Sequence, residues 1–308
     1  MNKKIFITGA EGFLGSHLTN YYKKKNYKVF CSVKKNPKFK LKNVKYFRCD
    51  VTNKTKLKDI ISNVKPNFIF HLAAKSHPLF SFKNPIKTIS INTIGTINIL
   101  QNIIELNLNP KIVIACSSAQ YGTRIFKELP LNEKSGFKPD HIYGVSKLFQ
   151  NLVSEQYFKM FNLKICNAII FNTSGPGKTN DVFYDFSKQF LNQYRNKKMI
   201  KINCGNILNK RDFLHYTDTI SALDIISKKG RNGESYNVST GKLITIKSLL
   251  DYIIIKSKKK IEINQLKENL RVYDEKYISG NNSKLKKLGW SPKKSYKEIL
   301  DEMCKFQK

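Results

Sequence analysis

Short, mainly apolar segments alternate along the chain with longer segments in which apolar residues recur every three or four positions. The short segments are predicted to be buried β-strands, and the longer ones to be helices that cover a sheet with one apolar face. The predicted strands span residues 4–8, 27–33, 44–48, 68–72, 111–116 and 162–171. The predicted helices comprise a run after residue 15, residues 57–64, residues 85–106 and a run from residue 143.

This alternation predicts an α/β fold with a Rossmann-type, doubly wound parallel sheet. Ligands of such sheets lie at the carboxyl ends of the strands, so the residues that follow each strand carry most of the information about function. The alternation becomes less regular after residues 172–177 (NTSGPG). We therefore expect a Rossmann domain at residues 1–171 and a smaller C-terminal α/β substrate lobe at residues 172–308.

A glycine-rich segment, GAEGFLG at residues 9–15, joins the first predicted strand to the first helix. Gly9 permits a tight turn, Gly12 lets a pyrophosphate approach the backbone, and Gly15 allows close packing of the helix on the strand. The phosphates would lie at the amino end of the helix. We expect this segment, including Phe13 and Leu14, to bind a dinucleotide, which makes the first domain NAD(P)-binding.

The residues after the second predicted strand indicate which dinucleotide binds. NAD-preferring sites usually have an acidic residue there, which binds the ribose 2′-hydroxyl. Here the strand is followed by Lys34 and Lys35, which suit a 2′-phosphate and include no carboxylate. The pattern favours NADP(H) as the cofactor and leaves NAD(H) as an alternative. Further residues expected to contact the cofactor at strand ends are Asp50, Val51, Leu72, Ala73 and Ala74.

Tyr143 and Lys147 are four residues apart at the start of a predicted helix, so their side chains share one face. A cation beside a phenol favours the phenolate and lowers the phenol pKa from its ordinary value of about 10. Tyr143 can then exchange a proton with a substrate oxygen. Ser117 directly follows a buried strand and can donate a hydrogen bond to the same oxygen. The order of these residues along the chain predicts a catalytic Ser117, Tyr143 and Lys147.

The chain of 308 residues has a formal net charge of +34. Because the excess is mostly Lys spread from end to end, we expect it to attract an anionic nucleotide and expect no nucleic-acid partner. Six scattered cysteines form no zinc-type pair, so no metal site is predicted. Signal-peptide features and apolar runs of about 18 residues are missing from the sequence, which indicates a cytoplasmic protein without a membrane partner.

These motifs, with others further along, resemble those of extended short-chain dehydrogenase/reductase enzymes that act on nucleotide sugars. Within that family the chain most resembles the branch of GDP-mannose 4,6-dehydratases and GDP-4-keto-6-deoxy-D-mannose reductases. The similar segments are residues 8–15 (TGAEGFLG), Ser117, residues 143–147 (YGVSK), 73–77 (AAKSH), 171–177 (FNTSGPG), 211–213 (RDF), 233–238 (GESYNV) and 270–274 (LRVYD).

The resemblance implies a seven-stranded sheet to which the chain returns around residues 211–240. It also implies a homodimer that pairs the helices at 85–106 and 141–161, and a GDP-sugar or other nucleotide-sugar substrate. Arg211 and Arg271 would hold the diphosphate together with Asn172, because the planar fork of Arg pairs well with phosphate oxygens. The substrate-binding residues implied by the resemblance are Ser76, Ser117, Asn172, Arg211, Arg271 and Asp274.

The reactions of this family differ in the groups that accompany the Ser, Tyr and Lys. Dehydratases of the family have a carboxylate just after the catalytic Ser or Thr, and related epimerase-reductases have a Cys two residues after it, where this chain has Ala119. This chain has the Ser, Tyr and Lys without either additional group, which favours NADPH-dependent reduction of the C4 ketone of a nucleotide-activated 6-deoxy-4-keto hexose. Tyr143 would donate the proton, Ser117 would stabilise the alkoxide, and Lys147 would tune Tyr143 and hold the nicotinamide ribose. The alternatives are a 4-epimerase with retained NAD, a 4,6-dehydratase with atypical acid and base groups, and a non-catalytic relative.

Overall fold

The computed structural model describes residues 3–35, 40–194, 199–266 and 276–307. Arg271 and Asp274, two of the predicted substrate-binding residues, lie outside the described residues. The strands are β1 (Lys4–Thr8), β2 (Lys28–Val33), β3 (Val44–Arg48), β4 (Phe68–His71), β5 (Lys111–Ser117), β6 (Ile165–Ile170), β7 (Asn172–Ser174), β8 (Met199–Cys204), β9 (Lys210–Arg211), β10 (Phe213–His215), β11 (Ser235–Val238), β12 (Ile244–Thr245), β13 (Lys260–Gln265) and β14 (Tyr277–Ile278). The α-helices are α1 (Phe13–Lys24), α2 (Lys54–Val64), α3 (Pro78–Lys83), α4 (Pro85–Ile89), α5 (Gly95–Glu105), α6 (Ile142–Phe161), α7 (Val182–Tyr194), α8 (Tyr216–Lys229), α9 (Ile246–Ser257), α10 (Ser283–Lys286) and α11 (Tyr296–Phe306).

The main sheet has seven strands in the order β3-β2-β1-β4-β5-β6-β11, and every neighbouring pair is parallel. Strand β11 joins the sheet beside β6 after the chain has passed through β7 to β10, and α8 packs against α1. The smaller sheets are β10 with β7, β12 with β9 and β14, and β13 with β8. The predicted doubly wound α/β fold is confirmed.

The side chains of β1 show why the sheet is buried on both faces. Ile5 and Ile7 belong to one apolar cluster, which includes Leu18 of α1, whereas Phe6 belongs to a second cluster with Leu57 of α2. Successive side chains of a strand point to opposite faces, so helices cover both sides. A third cluster is built from α7, β8, α9 and α11, which lie in the segment predicted to form the C-terminal lobe. Across the part of the chain that the structure describes, no helix is both long and apolar enough to cross a membrane.

Two predicted elements differ in detail from the structure. The helix predicted at residues 85–106 consists of α4, a π-helical turn at Ser90–Ile94 and α5. The turn contains Asn92, whose Oδ1 accepts a hydrogen bond from Lys75 N at 2.8 Å. The strand predicted at residues 162–171 begins later, because Asn162 ends α6 in the left-handed conformation at φ 52°.

Candidate active site

A cavity of about 1780 Å³ opens at the carboxyl ends of the sheet strands and continues along α7 to the end of β8. This is the position at which doubly wound sheets bind their ligands. All the predicted site residues that the structure describes line the cavity, namely Gly9, Gly12, Phe13, Leu14, Gly15, Lys34, Asp50, Val51, Leu72, Ala73, Ala74, Ser76, Ser117, Tyr143, Lys147, Asn172 and Arg211.

The glycine segment between β1 and α1 forms a tight turn. Gly9 has φ +68° and donates its N–H to Ser32 O at 3.0 Å, and Gly12 donates to Gly9 O at 3.0 Å. A Cβ on Gly15 would lie 2.1 Å from Gly9 O, so only glycine fits where α1 leaves the turn. The amino end of α1 begins beside the cavity. The turn and this helix end fit the pyrophosphate of a dinucleotide.

Charged side chains crowd the end of β2. Lys34 forms an ion pair with Asp50, and the backbone N–H of Lys34 donates to Glu11 Oε1 at 2.8 Å. Asp50 also accepts hydrogen bonds from the N–H and hydroxyl of Thr52 at 3.1 and 2.9 Å. Burial acts to raise the pKa of Asp50, but the bonds from Lys34 and Thr52 outweigh it and lower the pKa. The sequence shows no carboxylate after β2, yet the fold brings two carboxylates to this position.

Tyr143 and Lys147 lie together in the wall of the cavity. Their residues are 8% and 4% exposed, so neither side chain extends into bulk solvent. Lys147 Nζ lies 5.9 Å from the centre of the Tyr143 ring and donates to Ala115 O and Gln150 Oε1, both at 2.7 Å. Burial lowers the pKa of Lys147 to about 8. The arrangement places a buried cation beside the phenol.

Ser117 is the last residue of β5 and caps the short 3-10 turn Ser118–Gln120 by accepting Ala119 N on its Oγ at 3.2 Å. Helix α6 crosses this turn closely, since a Cβ on Gly144 would lie 2.5 Å from Ala119 O. Glycine at this position therefore lets the amino end of α6 approach the end of β5. This contact brings Tyr143 and Ser117 into one cavity.

Titratable side chains that carry no recognisable motif in the sequence also line the cavity, among them His77, Asp140, His141 and Asp181. His141 caps α6 by accepting Gly144 N on Nδ1 at 3.0 Å, so its Nε2 carries the proton when the ring is neutral. The ring stacks on that of Tyr143 with centres 6.0 Å apart, and Nε2 lies 3.9 Å from Asp140 Oδ1. The sequence signal for this residue is its position directly before a predicted helix, where capping side chains occur.

The cavity also holds the described residues that are predicted to bind the diphosphate. Asn172 begins β7, and its Nδ2 is buried without a hydrogen-bond partner among the residues described. A buried donor left in this way is costly unless a ligand accepts from it. Arg211 ends β9 and lines the same cavity. The neighbouring carboxylate of Asp212 is fully buried and accepts the N–H groups of Thr240 and Gly241 at 2.7 and 2.9 Å. Asp212 therefore has partners of its own within the fold.

Comparison with known sequences gives a consistent group of relatives. A family model described as GDP-mannose 4,6 dehydratase matches residues 6–303. The chain is similar to the GDP-6-deoxy-D-mannose reductase of Pseudomonas aeruginosa, with 26% identity over 302 residues that cover 97% of this chain and 95% of the relative. It is also similar to the GDP-mannose 4,6 dehydratase of Homo sapiens, with 27% identity over 339 residues that cover 96% and 89% of the two chains.

Solved structures show the same architecture. The chain is similar to a UDP-glucose 4-epimerase with UDP-glucose from Thermotoga maritima, with a TM-score of 0.89, 23% identity and coverage of 99% and 98% of the two chains. It is also similar to RMD from Pseudomonas aeruginosa complexed with NADPH, with a TM-score of 0.84, 24% identity and the same coverage. At these identities the likeness shows a shared fold.

Proposed function

Because the chain belongs to the GDP-mannose 4,6 dehydratase family, we propose that it uses NADPH to reduce the C4 ketone of a nucleotide-activated 6-deoxy-4-keto hexose. It is an NAD(P)-dependent nucleotide-sugar oxidoreductase of the extended short-chain dehydrogenase/reductase family. One observation carries the proposal. Ser117, Tyr143 and Lys147 line one cavity, and the position two residues after the serine holds Ala119 in place of an acid or a thiol.

Ser117, Tyr143 and Lys147 have different roles in the proposed reduction. The hydride for C4 of the sugar would come from a nicotinamide held at the cavity by the glycine turn and by Lys147. Tyr143 donates its phenolic proton to the ketone oxygen as negative charge develops there, and Ser117 donates a hydrogen bond to the same oxygen. Lys147 stabilises the phenolate that remains, because charges interact more strongly where water is excluded. Hydride and proton together convert the ketone to an alcohol.

The diphosphate of the substrate, a GDP-sugar in this proposal, would bind at Asn172 and Arg211. Asn172 Nδ2 supplies a buried hydrogen-bond donor, and Arg211 supplies a planar guanidinium that can pair with two phosphate oxygens. The cavity has a volume of about 1780 Å³, which is large enough for both a dinucleotide and a nucleotide sugar.

The charges near β2 support NADP(H) as the cofactor. The pKa of Lys75, which follows β4, is lowered by its burial and by the positive charges of Lys34, Lys87 and Lys35. Lys34 is paired with Asp50, and Glu11 offsets part of the remaining charge, but the four cations outnumber the two carboxylates, and a phosphate monoester carries between about one and two negative charges near neutral pH. A 2′-phosphate would therefore be favoured here over a 2′-hydroxyl.

Replacing Lys34 with Ala tests the choice of cofactor. The KM for NADPH should rise about tenfold or more, because that is the loss of affinity expected when a hydrogen bond to a charged group is removed. The KM for NADH should change little. Lys159→Ala is the matched control, since Lys159 pairs with Glu155 on the exposed surface of α6. An equal change for both dinucleotides would contradict a 2′-phosphate contact.

Cofactor behaviour of the purified enzyme tests the proposed reaction. We expect protein without tightly bound dinucleotide that oxidises NADPH in equal amount to the GDP-4-keto-6-deoxymannose it reduces. NADPH absorbance and mass spectrometry of the sugar product measure both quantities. Retained NAD and interconversion of sugars without net NADPH loss would instead identify a 4-epimerase. Binding of NADPH without turnover of any nucleotide sugar would identify a non-catalytic relative.

The structure also supports a second candidate, 4,6-dehydration with atypical groups. That reaction requires removal of the C5 proton and protonation of the departing C6 hydroxyl. His141 Nε2 lies 3.9 Å from Asp140 Oδ1 in the same cavity as Tyr143, and imidazole is a side chain that serves as a general acid or base. GDP-mannose distinguishes the two reactions, because a dehydratase converts it to the 4-keto-6-deoxy sugar without net use of nicotinamide. In that case His141→Ser, which keeps a capping side chain, should abolish dehydration.

A further inference from the structure

A chain of buried hydrogen bonds connects Lys147 to the glycine turn, and the proposed reaction leaves it unexplained. Gln150 Oε1 accepts from Lys147 Nζ at 2.7 Å, and Gln150 Nε2 donates to Thr96 Oγ1 at 2.6 Å. His71 Nε2 lies 3.0 Å from the same Thr96 oxygen, and Thr8 Oγ1 lies 2.8 Å from His71 Nδ1. All five residues are buried. Elements α6, α5, β4 and β1 are thereby joined by side chains.

The donors and acceptors of this chain have one consistent order. Thr96 donates its hydroxyl proton to Asn92 O at 2.7 Å, so its oxygen accepts from both Gln150 and His71. Gln150 must then turn its amide oxygen toward Lys147, because the opposite orientation would place an NH₂ group against an ammonium group. The orientation of the amide is therefore fixed at both ends. Gln150 cannot rotate without losing two hydrogen bonds.

His71 continues the chain as a neutral side chain. Its Nε2 donates to Thr96, and its Nδ1 accepts the hydroxyl proton of Thr8, which itself accepts Ala73 N at 3.2 Å. Burial and the charge of Lys147 lower the pKa of His71 to about 3, so the ring stays uncharged near neutral pH. The chain thus adds no second charge near Lys147.

The ammonium of Lys147 is surrounded by neutral groups. It is held by a main-chain oxygen of β5 and by the amide oxygen of Gln150. The titratable groups that face it are Cys116 of β5, His71 of β4 and Tyr143 of its own helix, and burial raises the pKa of the Cys116 thiol to about 12. Two neutral oxygens solvate the charge without cancelling it, whereas a carboxylate would cancel much of it.

We propose that Gln150 is a positioning residue for Lys147. The amide oxygen of Gln150 holds the ammonium of Lys147 beside Tyr143 and stabilises the positive charge without neutralising it. The consequence for catalysis rests on the proposed roles of Tyr143 as proton donor and Lys147 as its cation. The effect of Gln150 on the pKa of Lys147 does not rest on those roles, since it follows from the contact between the two side chains. The two parts can therefore be tested separately.

Two substitutions should move the titration of Lys147 in opposite directions. Gln150→Glu keeps the shape of the side chain but places a carboxylate against the ammonium, so the pKa of Lys147 should rise by about one pH unit or more. Gln150→Ala removes an acceptor from a buried cation, so the pKa should fall by about one pH unit. Both variants should lower kcat about tenfold or more, because one neutralises the cation and the other releases it.

The measurement is the pH titration of lysine side chains by NMR in apoenzyme carrying labelled lysine. Lys147 should be recognisable because its pKa is about 8, against 10.5 for an ordinary lysine, and because its signal is missing from Lys147→Met. Asn102→Ala is the control, since Asn102 is a fully buried amide on α5 that bonds Lys54 O. It should lower stability and leave the Lys147 titration unchanged.

Opposite shifts in the two Gln150 variants support the proposal. Unchanged titration, or a shift of the same sign in both, would overturn it. If Gln150→Ala does not fold, Gln150→Glu decides alone, because a rise in the pKa of Lys147 requires contact with the new carboxylate. If the shifts occur but no nucleotide sugar is turned over, the positioning of Lys147 stands and the proposed reaction fails. The alkaline limb of the kcat profile should follow the Lys147 titration in each variant.

Discussion

His71 should make the protein lose stability in mild acid. The imidazole is buried and bonded through both nitrogens, and burial together with the charge of Lys147 lowers its pKa from 6.5 to about 3. The unfolded chain therefore binds more protons than the native protein between these two values. This stabilising contribution is complete above pH 6.5 and is lost as the pH falls toward 3.

The size of the loss follows from the two pKa values. One pKa unit corresponds to about 1.36 kcal/mol, so His71 alone should cost the native state about 2 kcal/mol between pH 7 and pH 5. The assay is urea unfolding of the apoenzyme at both pH values for the wild type and for His71→Gln, which keeps polar groups but does not titrate. Other titrating groups contribute equally to both proteins and cancel in the comparison.

We expect the wild type to lose about 2 kcal/mol more than His71→Gln over this range. Equal losses would show that His71 is protonated in the native state or reaches solvent. That result would refute the claim that a buried, uncharged chain of hydrogen bonds runs from Thr8 to Lys147. A larger absolute instability of His71→Gln at both pH values would not affect the test, because the comparison uses only the dependence on pH.

Three further perturbations test the cofactor turn, the diphosphate contact and the oligomer. Gly15→Ala would place a Cβ 2.1 Å from the carbonyl oxygen of Gly9 and should lower the free energy of unfolding in urea by about 1–3 kcal/mol. In Gly12→Ala the new Cβ would lie 3.2 Å from its nearest atom, so this variant should retain stability and lose affinity for NADPH in calorimetry. Equal stability of the two variants would contradict the packing argument. Arg211→Ala should raise the KM for the nucleotide sugar about tenfold or more with an unchanged Kd for NADPH, and an unchanged KM would remove Arg211 from the diphosphate site. Ile86 is 85% exposed on α4, so Ile86→Lys should convert the predicted homodimer to monomer in sedimentation, and a monomeric wild type would contradict the dimer.

The main sheet could be predicted from the sequence because its early strands are short and mainly apolar, although β3 (VKYFR) also carries Lys45 and Arg48. The structure places β1 and β3 at the residues predicted, and the family resemblance is confirmed by the match over residues 6–303. The apolar pattern of residues 85–106 does not reveal the π-helical turn, which contains Asn92, the acceptor of a hydrogen bond from Lys75 N in a different segment of the chain. The late start of β6 was missed because Asn162 adopts a left-handed conformation that an apolar pattern does not reveal.

The candidate site was predictable only where a local motif marks a residue. The glycine turn and the pair of Tyr143 and Lys147 have recognisable spacing, and both lie in the cavity. Gln150 has no such spacing, since its partners lie on α5 and on the preceding turn of α6, and a buried amide in a helix resembles an exposed one in sequence. The sequence likewise does not indicate where the carboxylate of Glu11 lies, because only the fold brings it to the end of β2.

The central claim is that the phenol of Tyr143 supplies the proton during reduction of the C4 ketone. Tyr143→Phe removes that proton and leaves the rest of the side chain, and single-turnover oxidation of NADPH by GDP-4-keto-6-deoxymannose measures the effect directly. The account predicts that the rate falls by about 100-fold or more while the Kd for NADPH is unchanged. A rate within about twofold of the wild type would contradict it.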